Sequence, residues 1–233
     1  MSVDPSPPVT GIPSSVDRAL AVLVAACAAM SGLALVLHAF DVVEMPFTIS
    51  FVALPAMLVV VGLMAWFGRV GKVELLRRVW IGVVAGLAAT VAYDLVRYVI
   101  FVGTPTDFDP FRAHRPFGGL MLDSDPDTAA AFWAGWGYHI WNSLSFAVMY
   151  TMLIGGARWF WAVVWALGLE CATIITYPNI LDIDLTQTGF VAVSLIGHTC
   201  YGVVLGVLTR EWLGRPASSP WALPKPDIRR GFS

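Results

Sequence analysis

The sequence predicts an all-α, polytopic integral membrane protein, a bundle of six transmembrane helices with both termini inside. Three observations carry that expectation. The 233 residues are 58% hydrophobic and 13% charged, about half the charged share of a soluble domain, and mean hydropathy is +0.73. The apolar residues gather into six runs near the roughly 20 residues that cross a bilayer core. Lys and Arg are distributed among the connections as cytoplasmic and outer loops require.

In order along the chain, residues 1–18 are a Pro/Ser-rich tail, expected to be disordered and cytoplasmic. They lack the basic start of a signal peptide, so the run that follows reads as a retained helix. The transmembrane domain is placed at 19–210, with helices near 19–40, 47–68, 79–103, 129–154, 159–177 and 188–209, and 211–233 is a cytoplasmic tail. Pro46, Asp125-Pro126 and Pro178 punctuate three boundaries. Asp125 before Pro126 also suits a helix cap. The first two helices are nearly apolar apart from His38, Thr48 and Ser50, and read as scaffold.

With the N-terminus inside, the cytoplasmic segments hold Arg18, Arg69, Lys72, Arg77, Arg78, Arg158, Arg210, Arg215, Lys225, Arg229 and Arg230. The outer loops hold Arg112 and Arg115, and Arg97 lies within a helix. That bias sets the expected orientation, in a plasma (inner) membrane. The outer connection 104–128 is long for a bundle, a length that suits a lid or a partner surface and, as the neutral alternative, a plain surface connector. Its DSDPD stretch lacks the Gly and Glu of a calcium loop, holding Thr128 and Ala134 there instead, and reads as solvated acids. Cys27, Cys171 and Cys200 fall in apolar runs without a CxxC pair and read as small core residues. No basic cluster with interleaved aromatics suggests a nucleic acid.

Within this apolar chain, "ALGLECATIITYPN" (166–179) carries a glutamate. At 1.5 Å per residue, Glu170 lies about 16 Å above the inner face and Asp94 about 22 Å above it, while His139 and His198 each lie about 15 Å below the outer face. Each has a polar companion three positions on: Arg97, Asn142, Thr173 and Tyr201. That step keeps both side chains on one helix face. An isolated ion at mid-membrane costs about 2.5–3.5 kcal/mol or more, so four such groups at one depth are expected to meet. The pairs Gly82/Gly86 and Gly202/Gly206 would let helices three and six approach closely, with Asp94 and His198 above the contact.

Two imidazoles with two carboxylates suit Fe, Mn or Zn, making Asp94, His139, Glu170 and His198 the candidate metal ligands. Asn142, Thr173, Tyr98 and Ser194 are candidates to orient those ligands or touch substrate. Glu170, Arg97 and Tyr201 are the candidate catalytic groups, with Glu170 or a histidine as general base if no metal is present. Haem b held between His139 and His198 is a narrower variant, opposed by the adjacent carboxylates. The resulting expectation is a membrane-embedded, transition-metal-dependent enzyme acting on a lipid-soluble or hydrophobic small molecule, its site open to the outer side. Two alternatives use the same residues: a proton-coupled transporter, and a structural subunit of a larger complex. HIWN (139–142) and GHTCYG (197–202) have no accompanying GxSG serine, so a serine hydrolase lacks its nucleophile.

Overall fold

The computed structural model describes residues 14–105, 109–181 and 188–214. Among these the chain is helical: α1 (Ser15–Ala39), α2 (Met45–Val70), α3 (Val73–Gly103), the short α4 (His114–Leu122), α5 (Ala129–Leu153), α6 (Phe160–Leu181) and α7 (Thr188–Leu213). α1, α2, α3, α6 and α7 are long and apolar enough to cross a membrane, so the chain is a multi-pass membrane protein. α5 has 25 residues, as many as α1, but interleaves Trp, Tyr, His, Asn and Ser with its apolar residues. It packs against α1, α3 and α4, while α7 packs against α3 and α6.

Several boundaries differ from the sequence expectation for local reasons. α1 begins at Ser15, inside the segment expected to be disordered, because Ser14 and Asp17 form a capping box. Lys72 then reaches Asp17 at 2.6 Å and ties that start to the α2–α3 turn. α3 begins six residues before position 79, since Arg78 is accommodated inside the bundle. Its guanidinium donates to Glu74 at 3.2 Å and to the Thr151 carbonyl at 2.9 Å, near the end of α5, where a cation is favoured. α5 is capped by Thr128, whose hydroxyl accepts from the Ala131 amide, and not by Asp125. Asp125 instead accepts from the Asp127 amide in the turn before it. α7 continues to Leu213, into the segment expected to be tail. The connection expected to be an outer loop contains a helix of its own, α4.

α2 opens with a π-helical stretch, Ile49–Ala53, just before Pro55. Proline has no N–H for the carbonyl four residues back, and a wider turn absorbs that mismatch. Cys171 is exposed on the outer wall of α6, not in the core.

Two small-residue faces bring helices into close approach, although not to each other. A side chain at Gly86 would lie 2.6 Å from the Ala147 Cβ, and one at Gly82 would lie 2.8 Å from the Val148 Cα, so this pair seats α3 on α5. Gly202 faces the α6 backbone at Val163, and Gly206 faces the backbone of Trp159 just before α6. The expected α3–α7 glycine contact is therefore two separate contacts. α3 and α7 meet higher up instead, where Gly197 lies under Tyr93 and Arg97.

This packing predicts that Gly86→Leu and Gly202→Leu each destabilise the bundle by about 1–3 kcal/mol through overpacking. Gly62→Ala, where nothing lies within 4 Å, is expected to change little. Thermal unfolding in detergent, followed by tryptophan fluorescence, measures all three.

Candidate functional site

Glu170 sits on α6 with no exposure at all. Its Oε2 accepts from the Ser194 hydroxyl at 2.6 Å and lies 2.8 Å from His198 Nδ1. Both partners come from α7, one helical turn apart, and His198 Nδ1 also lies 3.0 Å from the Ser194 carbonyl. A second pair links α3 and α5. His139 Nε2 donates to both oxygens of Asp94, at 3.1 and 3.0 Å. The four side chains thus form two carboxylate–imidazole pairs, and Tyr93 stands between them. Its ring centroid is 5.9 Å from that of His139 and 5.0 Å from that of His198.

Tyr93 and Arg97 share a face of α3, one turn apart. The Arg97 guanidinium lies 4.5 Å over the Tyr93 ring, donates to Asp94 at 3.4 Å and donates to the Pro110 carbonyl. It also lies 5.3 Å over Phe111. One buried cation therefore holds Asp94 on its own helix and the start of the cap segment above.

His139, His198, Arg97 and Tyr93 line a cavity of about 150 Å³ between α1, α3, α5, α6 and α7, with Pro110 to Phe117 above it. Asp94 and Glu170 are not on its wall and stand behind their imidazoles. Asn142, Thr173, Ser194 and Tyr201, each singled out from the sequence, line the cavity too. Tyr201 donates to the Ser143 carbonyl at 2.7 Å. Tyr98 does not join them and is 52% exposed on the outer face of α3. α1, read from sequence as scaffold, supplies Gly32, Leu35 and Val36 to the wall.

Among the described residues no group of three or more His, Cys, Asp or Glu is placed to hold a metal ion. The expected four-ligand set divides because each carboxylate is bonded to one imidazole and Tyr93 fills the space between the pairs. Two polar atoms of cavity-lining residues, Arg97 Nε and Asn142 Oδ1, are buried without a partner, as is Glu170 Oε1 behind the wall. A buried polar atom left unpaired costs about 1–3 kcal/mol, a cost that a bound molecule can relieve.

His114, His139's neighbour from the cap, has no counterpart in the sequence reading. It is buried, stacked on Trp136 at 4.1 Å and edge-on to His139 at 4.9 Å. Its Nδ1 donates to the Phe111 carbonyl at 2.8 Å. Burial, with the nearby His139 as a lesser cause, lowers its pKa to about 4. The crossing of α4 over α5 is made by Gly118 and Gly135, where an added Cβ would lie 1.7 Å from a backbone carbonyl of the other helix. The one available sequence signal was the GG pair in a connection already marked as long.

Fold and site together define an all-helical, multi-pass membrane protein with a roofed polar cavity. The chain belongs to DUF6789, a family of unknown function, whose pattern matches residues 76–219. That match contains both carboxylate–imidazole pairs and the cap, and leaves α1 and α2 outside. No curated protein and no solved structure matches the chain.

Two outcomes are expected. An unfolded histidine protonates near pH 6.5 and His114 in place only near 4, so docking of the cap is fully supported above pH 6.5 and weakens as pH falls toward 4. Amide exchange across residues 110–122, corrected for intrinsic rate, should be about an order of magnitude faster at pH 5 than at pH 7.5. His114→Phe, which keeps the stack on Trp136, should abolish that difference. Separately, Gly118→Ala should expose α4 to limited proteolysis at neutral pH, since the blocking atom is backbone.

Proposed function

We propose that the chain is a membrane-embedded enzyme doing acid–base chemistry on a lipid-soluble molecule, with His139 and His198 as the proton-handling groups. The observation that carries this reading is that two imidazoles face one cavity, each with a carboxylate bonded behind it. A carboxylate in that position fixes the tautomer and orientation of the ring and stabilises its protonated form. Such a pair moves a proton on and off a substrate without leaving an unpaired charge in the apolar interior. Arg97 supplies positive charge for an oxyanion, and Tyr201 and Thr173 bear on substrate position.

In this reading six helices cross a plasma (inner) membrane, α5 among them, with both termini cytoplasmic. The Lys and Arg residues on the inner connections support that orientation. The pairs and α4 then lie toward the outer side. A transition metal would require His139, His198 and a carboxylate to turn toward one ion. Haem b would require far more room than about 150 Å³. The acid–base reading uses neither.

Purified protein in proteoliposomes made from a membrane lipid extract, followed by mass spectrometry of the lipids, tests it. One lipid species is expected to be converted, about 10²–10⁴-fold more slowly by His139→Gln or His198→Gln. A smaller loss is expected for Asp94→Asn. Proton movement across the vesicles without lipid conversion would overturn the enzyme reading in favour of a carrier. Stoichiometric Fe, Mn or Zn that is lost on His139→Ala would replace acid–base chemistry with metal chemistry.

A further inference from the structure

The cavity has a size, a lining and unanswered hydrogen-bonding groups that together narrow its ligand. At about 150 Å³ it has room for one six-membered ring, since an apolar protein cavity of about that volume takes up benzene. Rings from every side form its walls: Tyr93, Phe117, Tyr138, Phe146, Tyr177 and Tyr201. Arg97 is 8% exposed and its Nε has no partner, while Asn142 Oδ1 has none either. The first offers a proton to an acceptor oxygen, and the second accepts from an O–H or N–H group.

A fully ionised head group suits the site poorly. Arg97 is already shared with Asp94, so a head group that arrives ionised finds no uncommitted cation, whereas an oxyanion formed inside the site is created together with the imidazolium that takes its proton. A neutral hydroxyl on a ring carries both the acceptor oxygen and the donated proton that the two orphan atoms lack. The side wall shows how such a molecule arrives. α1 contributes Leu35 and Val36, α6 contributes Leu169 and Ala172, and Ala172 is exposed on the bundle surface while still lining the cavity. α1 and α6 touch each other sparsely compared with the tight α6–α7 and α1–α5 seams.

We infer that the site takes a lipid whose head is a single hydroxylated aromatic ring, entering sideways between α1 and α6 with its tail left in the bilayer. This rests on the acid–base reading for its chemistry and not for its binding. In the reaction the ring O–H bond breaks, its proton passes to the imidazole nitrogen not engaged by a carboxylate (Nε2 of His198 or Nδ1 of His139), and the electron pair stays on the oxygen. The resulting oxyanion faces Arg97.

The test uses full-length protein in phosphatidylcholine nanodiscs and three probes of similar tail length: 4-decylphenol, decylbenzene and decanoate. Decylphenol is expected to raise the thermal unfolding midpoint saturably, because it binds the folded state alone, and the other two are not. Asn142→Leu should weaken decylphenol at least about tenfold, the scale of one lost hydrogen bond. Ala172→Trp, at the proposed entry, should slow its association about tenfold. Equal binding of decylbenzene or decanoate would overturn the ligand class, as would decylphenol binding that both variants leave unaltered. Decylphenol bound alike by wild type and His198→Gln, with no lipid converted by either, would leave this inference standing and sink the acid–base reading. Lipid conversion that needs His198 but ignores decylphenol would do the reverse.

Discussion

A carboxylate at the centre of a bilayer-sized bundle is tolerable only when something nearby shares its charge. In this protein that constraint shapes how four helices meet. Glu170 on α6 needs Ser194 and His198 from α7, and Asp94 on α3 needs His139 from α5 together with Arg97 from its own helix. Breaking one such contact strands a desolvated charge, a far larger penalty than the loss of an exposed ion pair. The helices are thereby registered against one another along their axes, which apolar packing alone does poorly, since one ring of leucines resembles the next.

The pairs can form because backbones come close elsewhere. Gly82 and Gly86 seat α3 on α5, Gly202 and Gly206 seat α7 on α6, and Gly197 makes room for Tyr93 and Arg97. Gly197 lies at the polar contacts themselves, and the other glycine contacts lie further along the same helices, where they hold the backbones close. Tyr93 is the common element. Wedged between two imidazoles and under a guanidinium, it separates the pairs and still lets both front the same cavity.

Much of this was legible in the amino-acid pattern, and the failures have specific causes. Hydropathy located the long helices, because a bilayer demands a fixed apolar length. The depth arithmetic put Asp94, His139, Glu170 and His198 at one level. What depth leaves open is azimuth. It does not say that each carboxylate bonds a single imidazole, nor that Tyr93 stands between the pairs, since a tyrosine in an apolar run reads as an interface anchor. Tyr98 was drawn in by its nearness to Arg97 in sequence, yet one residue further along α3 turns a side chain about 100° away. His114 escaped notice because it sits in a connection whose helix depends on Gly118 and Gly135 nesting together, a long-range contact with no periodic signature. The capping box at Ser14 and Asp17 was readable and was lost among the prolines that precede it.

The π-helical stretch at the head of α2 has a mechanical consequence. Met45, fully buried just before it, and Ile49 and Ala53 within it belong to the same apolar cluster as Phe117 of the cap, whereas most of α2 beyond them is exposed on the surface of the bundle. A wide turn next to a missing N–H is the softest joint on that rod. Tilting of the roof would therefore drag the tip of α2 with it and bend the joint, while the portion below stayed anchored in the membrane. The head of α2 is thereby coupled to the chamber's ceiling through that cluster, while the length beyond it is exposed along most of its surface.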